Sequence, residues 1–143
     1  MVSGHVLVPL DGSPLADEAL TYALETFDCR ITVLNVVAPL DTGMSEGGLL
    51  EADADRRAAA DERASNLVDR AAQQADEVGR AVDTAVETGD PAETILDYVE
   101  EADVGQVVMG GHGGTKNEIA RRLLGTVATT VVSEAPVTVT VVR

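Results

Sequence analysis

The chain has 143 residues and a mass of 14.9 kDa, the size of one ordinary domain, which sets multi-domain schemes aside. Hydrophobic residues make up 45% and aromatic residues 2%, with no Trp, so the core must be assembled from Val, Leu, Ile and Ala in a globular rather than a disordered chain. Asp and Glu number 25 against 10 Lys and Arg, giving a formal charge of −15; such a field repels nucleic-acid backbones and anionic lipid, and excludes sequence-independent DNA or RNA binding.

Cys29 stands alone, which excludes an internal disulfide framework and a CxxC metal or redox pair, and points to the cytoplasm. Residues 1–5 lead straight into a short apolar run, with no charged leader and no stretch near 18 apolar residues, so neither a signal peptide nor a membrane span is expected.

Strand-like and helix-like runs alternate from end to end, the pattern of an α/β domain with a largely parallel sheet. Residues 5–10 (HVLVPL) predict a first strand, closed by Asp11-Gly12-Ser13-Pro14. Ser13 fits an N-cap with Pro14 at the first helical position, opening a helix to about Phe27 whose apolar face carries Leu15, Ala19, Tyr22 and Ala23. Residues 30–38 (RITVLNVVA) are apolar and β-branched on nearly every position, as in a strand covered on both faces. A Pro- and Gly-bearing loop over 39–48 follows. Residues 50–79 then form a long amphipathic helix with Ala60, Ala64, Leu67, Val68, Ala71, Ala75 and Val78 at helical spacing and a charged, solvated opposite face.

Residues 81–88 predict a third strand. Asp90, Pro91 and Glu93 then give an N-cap, a proline at the first helical position and a residue placed for a capping box, starting a helix that runs to about Ala102. Residues 105–109 (GQVVM) read as a fourth strand, 118–133 as a helix with an interruption at Gly125, and 136–142 (PVTVTVV) as a fifth strand.

The run Met109-Gly110-Gly111-His112-Gly113-Gly114-Thr115 follows the fourth strand directly. In doubly wound sheets ligands sit at the carboxyl ends of strands near the switch point. A glycine run there lets the backbone approach a ligand and turn successive N–H groups toward phosphate oxygens; the other reading is a surface loop. Gly125-Thr126 supplies a second anion contact. Asp11, on the same sheet edge, either accepts hydrogen bonds from an adenine amino group or ribose hydroxyl, binds a metal, or caps the turn. Lys116, the only lysine, clusters with Arg121 and Arg122 beside the glycines and favours an anionic ligand, with pairing to acids such as Glu118 as the alternative. His112 sits within the run and either reaches a terminal phosphate, donates a proton or stands solvated in the loop. Neither it nor His5 has metal-ligand company.

The G-x-S-x-G match at residues 43–47 follows a proline-bearing loop rather than a strand, and is read as coincidence. GxxxxGK(S/T), a GxGxxG after the first strand and HExxH are missing, which disfavours P-loop hydrolysis, dinucleotide redox chemistry and zincin chemistry.

The DGS turn, the VLNVV strand, VVMGGHGG, LLGTVATTVV and the APVTVTVVR terminus, taken in order along the chain, resemble the universal stress protein family. The resemblance implies a five-stranded parallel α/β sheet with helices on both faces, a three-layer sandwich, and homodimers paired through the last strand between Val137 and Val142. It also implies, for a subset of members, ATP binding around a G-x2-G-x9-G-S/T signature. Carried over, Pro9, Asp11 and Val36 would line an adenine and ribose pocket, Met109 and Gly110 would begin the phosphate loop, and Gly113, Gly125, Thr126 and Val127 would complete it. The spacing departs from that signature: residues 114–124 place eleven positions between Gly113 and Gly125, where the signature has nine.

Together these observations predict a regulatory protein that binds MgATP, AMP or another adenylate, with slow hydrolysis at most because no residue is placed as a strong general base. The alternative is a dimeric interaction module without a nucleotide. No nucleic-acid or membrane partner is expected. The acidic, lysine-poor surface resembles those of proteins from salt-accumulating halophilic archaea and predicts salt-dependent stability.

Overall fold

The computed structural model describes residues 4–39, 49–112 and 124–143. Five parallel strands, β1 (His5–Pro9), β2 (Arg30–Val37), β3 (Asp83–Thr88), β4 (Gln106–Gly110) and β5 (Thr138–Val142), form one sheet in the order β3-β2-β1-β4-β5. The helices are α1 (Pro14–Thr26), α2 (Leu49–Glu77), α3 (Pro91–Glu101) and α4 (Thr126–Glu134). The chain builds outward from β1 through β2 to β3, then crosses back to lay β4 on the other side of β1. This reversal is the topological switch point, and it opens a crevice at the carboxyl ends of β1 and β4.

Strand alternation sorts the core into two layers. Val6, Val8, Ile31, Val33 and Val108 point to the face covered by α1 and α2, where they meet Ala16, Ala19, Leu20, Ala23, Val68, Ala71 and Ala75. Leu7, Leu34, Val107 and Met109 point to the opposite face and pack on Ile95, Val99, Ala128 and Val131 of α3 and α4. The central strand is buried on both sides, as its unbroken apolar run requires.

Both predicted caps form. Ser13 Oγ accepts from the Ala16 amide at 3.2 Å, and an Asp90 carboxylate oxygen accepts from the Glu93 amide at 3.0 Å. α2 closes on Gly79, whose φ of +75° lets the Arg80 amide return to the Ala75 carbonyl at 2.9 Å. The Arg80 guanidinium then donates to the carbonyls of Leu24, Phe27 and Cys29, tying the end of α2 to the end of α1.

Several expectations change. Tyr22 lies off the buried face of α1 at 41% exposure, and Leu20 and Leu24 fill the core in its place. Val78 lies beyond the last turn of α2 and is exposed. β3 starts at Asp83 rather than at residue 81, and as a sheet edge it is mostly solvated. Across the β2–β3 edge Arg30 donates to Asp83 at 2.6 Å; this hydrogen bond and the opposite charge raise the arginine pKa further, and both side chains remain in water. Among the described residues no helix is long and apolar enough to cross a membrane.

Candidate functional site

The crevice at the switch point is a cavity of about 340 Å³, within the range of small-molecule sites. Its floor and one wall are apolar, from Pro9, Leu34, Val36, Ile95, Met109, Val127 and Ala128, with Pro91 at the start of α3. Asp11, Ser13, Gly110, Gly111, His112, Gly125 and Thr126 complete the lining.

Backbone pairing fixes the β1 side. The Leu10 amide donates to the Leu34 carbonyl at 2.8 Å, and the Asn35 side-chain amide donates to the Leu10 carbonyl at 2.7 Å, so β2 holds the strand end past Pro9. The chain then turns through Gly12 at φ +83°, a left-handed conformation that glycine adopts without steric penalty. One oxygen of Asp11 accepts from the Ser13 amide at 2.9 Å, so the capping role is real. The exposed carboxylate also borders the cavity and an adjoining groove of about 600 Å³ that carries Asn35, Arg63, Asn66 and Arg70.

The β4 side is built from close backbone approaches. A Cβ on Gly110 would lie 3.0 Å from Leu15 and from the Ala16 amide nitrogen, and one on Gly111 would lie 3.2 Å from Val141. These two glycines therefore admit α1 and β5, which is a different reason from the ligand approach that the glycine content suggested. The Gly111 amide donates to the Val142 carbonyl at 2.8 Å, and its carbonyl accepts from the Gly125 amide at 2.6 Å, joining the ends of β4 and β5 to the start of α4.

Gly125 is the N-cap of α4 and, unlike Ser13 and Asp90, offers no side chain to the first-turn amides. The positive end of the helix therefore borders the cavity through Gly125, Thr126 and Val127 without a side-chain cap. Beside it lies His112, both of whose ring nitrogens are buried and bonded to nothing among the described residues. A buried polar atom left this way costs about 1–3 kcal/mol.

Of the nine residues anticipated for a binding role, Pro9, Asp11, Val36, Met109, Gly110, Gly125, Thr126 and Val127 all line this cavity, while Gly113 lies outside the described residues. Lys116, Arg121, Arg122, Glu118 and the 43–47 motif lie outside them too. Gly111, within the glycine run read as a ligand approach, lines it too, while Leu10, Ser13, Ala16, Leu34, Pro91, Ile95 and Ala128 also line the cavity and carry no expectation of this role. Pro91 alone had a local signal, because its strong N-cap places the start of α3 at the carboxyl end of β3. Among the described residues no group of three or more His, Cys, Asp or Glu side chains could hold a metal ion.

Comparison with known proteins agrees with this architecture. Universal stress protein UspA from Lactobacillus plantarum superposes with a TM-score of 0.80 at 24% identity, over 100% of this chain and 99% of that one. A universal stress protein family member from Arabidopsis thaliana, solved with AMP bound, gives 0.70 at 21% identity over 97% and 90%. A universal stress protein solved in complex with cAMP gives 0.65 at 18% identity over 98% and 96%. No curated protein matches the chain. The model of the universal stress protein family matches residues 3–143, and the chain belongs to that family.

Proposed function

We propose that this protein binds an adenine nucleotide in the switch-point cavity and acts as a ligand-responsive regulator of the stress response in the cytoplasm. The observation that carries the reading is the division of the cavity into an apolar floor suited to a purine, a carboxylate at one rim suited to ribose hydroxyls, and an uncapped helix N-terminus suited to phosphate. The AMP and cAMP held by two structural neighbours support the adenine assignment. ATP, with Mg²⁺ carried on its phosphates, is the nucleotide we assign; Asp11 and Thr126 are the oxygen-bearing side chains at the rim.

Calorimetric titration of ATP, AMP and cAMP into protein held in molar potassium chloride tests this. Saturable binding of one nucleotide per chain is expected, with Asp11→Ala losing roughly 10- to 100-fold, the worth of a hydrogen bond to a charged group. No binding of any of the three to demonstrably folded protein refutes the proposal.

β5 is the sheet edge beyond β4, with its outer backbone groups unpaired within the described residues and its Val139 and Val141 packed inward. A valine-rich edge invites pairing, and we assign it to a two-fold mate. That edge also supports a second reading, a dimeric module recognised by protein partners without a nucleotide. A monomeric mass by light scattering in high salt refutes the dimer. The charge of −15 and the single lysine support adaptation to molar salt.

A further inference from the structure

We propose that His112 is the side chain that recognises the phosphate of the bound nucleotide, so that the cavity distinguishes a nucleotide from a nucleoside. The inference rests on the nucleotide-binding reading and adds to it a residue outside the signature positions carried over from the family.

The chain's two histidines make an internal comparison. At His5, Nδ1 faces the Ala102 carbonyl at 3.1 Å and must donate there, which leaves Nε2 to accept from the Thr32 hydroxyl at 2.7 Å. Both ring nitrogens are used, as they are in a histidine kept for structure. His112 is buried at the same two atoms and uses neither among the described residues. Idle buried donors and acceptors are rare in folded proteins and call for a partner that the described residues do not supply.

The position of His112 says which partner. Its backbone is pressed against the start of α4: a Cβ on Gly125 would lie 3.3 Å from His112 Cα and 3.5 Å from its Cβ. The ring is therefore anchored beside the helix end whose first-turn amides lack a side-chain cap. The Asp11 carboxylate, which repels an anion, also lines the cavity, on the β1 side. An anionic group in this cavity settles at the α4 end, within reach of the imidazole. The nitrogens are sealed from water in the resting arrangement, so contact requires the ring to turn toward the cavity. That turn breaks no hydrogen bond to any of the described residues.

The test titrates AMP and adenosine into the full-length protein, wild type, His112→Ala and His112→Gln, in molar potassium chloride. We expect His112→Ala to bind AMP at least tenfold more weakly and adenosine within about twofold of wild type, the loss of one hydrogen bond to a charged group. Glutamine retains an N–H donor and should recover part of the AMP affinity. Long-range ¹H–¹⁵N correlation spectra of the imidazoles supply a second readout. The His112 nitrogens should shift with AMP and not with adenosine, while those of His5 stay in place. Unchanged AMP affinity in His112→Ala, or equal losses for AMP and adenosine, overturns the assignment and leaves the nucleotide site standing. Failure of folded wild-type protein to bind AMP overturns both.

Discussion

Replacing Gly110 by alanine sets two physical effects against each other. Glycine in a strand costs about 0.5–1 kcal/mol relative to alanine through backbone entropy, so propensity alone makes Gly110→Ala stabilising. The added Cβ, however, would sit 3.0 Å from the Leu15 carbonyl carbon, from Leu15 Cβ and from the Ala16 nitrogen, and two of these are main-chain atoms of the first turn of α1. They cannot move aside by a rotamer change. Overpacking of this kind costs about 1–3 kcal/mol, leaving a net destabilisation of roughly 0.5–2 kcal/mol. An unfolding entropy of about 2.1 cal/mol/K per residue gives about 0.3 kcal/mol/K for 143 residues, so the midpoint should fall by roughly 2–7 °C. Displacement of α1 also moves Ser13 and Ala16 at the cavity wall, so nucleotide affinity should fall with it. Gly105→Ala is the control: its nearest neighbour would be the His5 carbonyl at 3.8 Å, an ordinary contact, and it should be neutral or stabilising. Thermal melts of both variants in molar salt decide the matter. A Gly110→Ala protein as stable as Gly105→Ala would refute the claim that this glycine exists to admit α1.

Three further expectations follow from the same structure. Thr32→Val removes the hydroxyl that serves His5 Nε2 in a buried setting and should cost about 1–3 kcal/mol in denaturant melts. Asp90→Ala deletes the N-cap of α3 and should cost about 1 kcal/mol, with Asp90→Asn close to wild type. Midpoints measured in low and in molar potassium chloride should rise with salt, because screening relieves the repulsion of a −15 chain; a flat profile would show that the acidic surface makes no demand for salt.

What the sequence made legible was local in origin. Ser13-Pro14 and Asp90-Pro91 announced two helices because an N-cap and a proline at N1 act within a single turn, and both caps form. The parallel sheet was legible in β1 and β2, whose apolar runs leave no solvated face. The misreadings came from contacts between distant segments. Tyr22 fits the apolar stripe of α1 by spacing, yet it lies at the margin of the stripe, where Leu20 and Leu24 already fill the space below. Gly110 and Gly111 line the cavity, yet the space a Cβ would need there is taken by α1 and β5, more than ninety and about thirty residues away in the chain, which no local pattern reveals. Ala16, Leu34 and Ile95 enter the cavity wall only because three elements converge at the switch point, and no spacing rule marks them.

The two ends of the sheet differ in how completely their polar groups are spoken for. Where the strands begin, His5 bridges Thr32 and the Ala102 carbonyl, the Gly105 amide donates to the His5 carbonyl, and Arg80 gathers three carbonyls at the α1–β2 turn. Where the strands finish, a histidine holds two nitrogens that are idle among the described residues and a helix begins without a side-chain cap. Opening at either end must break backbone bonds, at the finishing end those of Leu10 to Leu34, Gly111 to Val142 and Gly125 to Gly111, so the difference between the ends lies in side chains and not in the backbone. Native-state amide exchange then becomes a test of it: the Gly105, Gly111 and Gly125 amides should all exchange slowly, while a ligand arriving at the finishing end rearranges side chains over a backbone that stays locked.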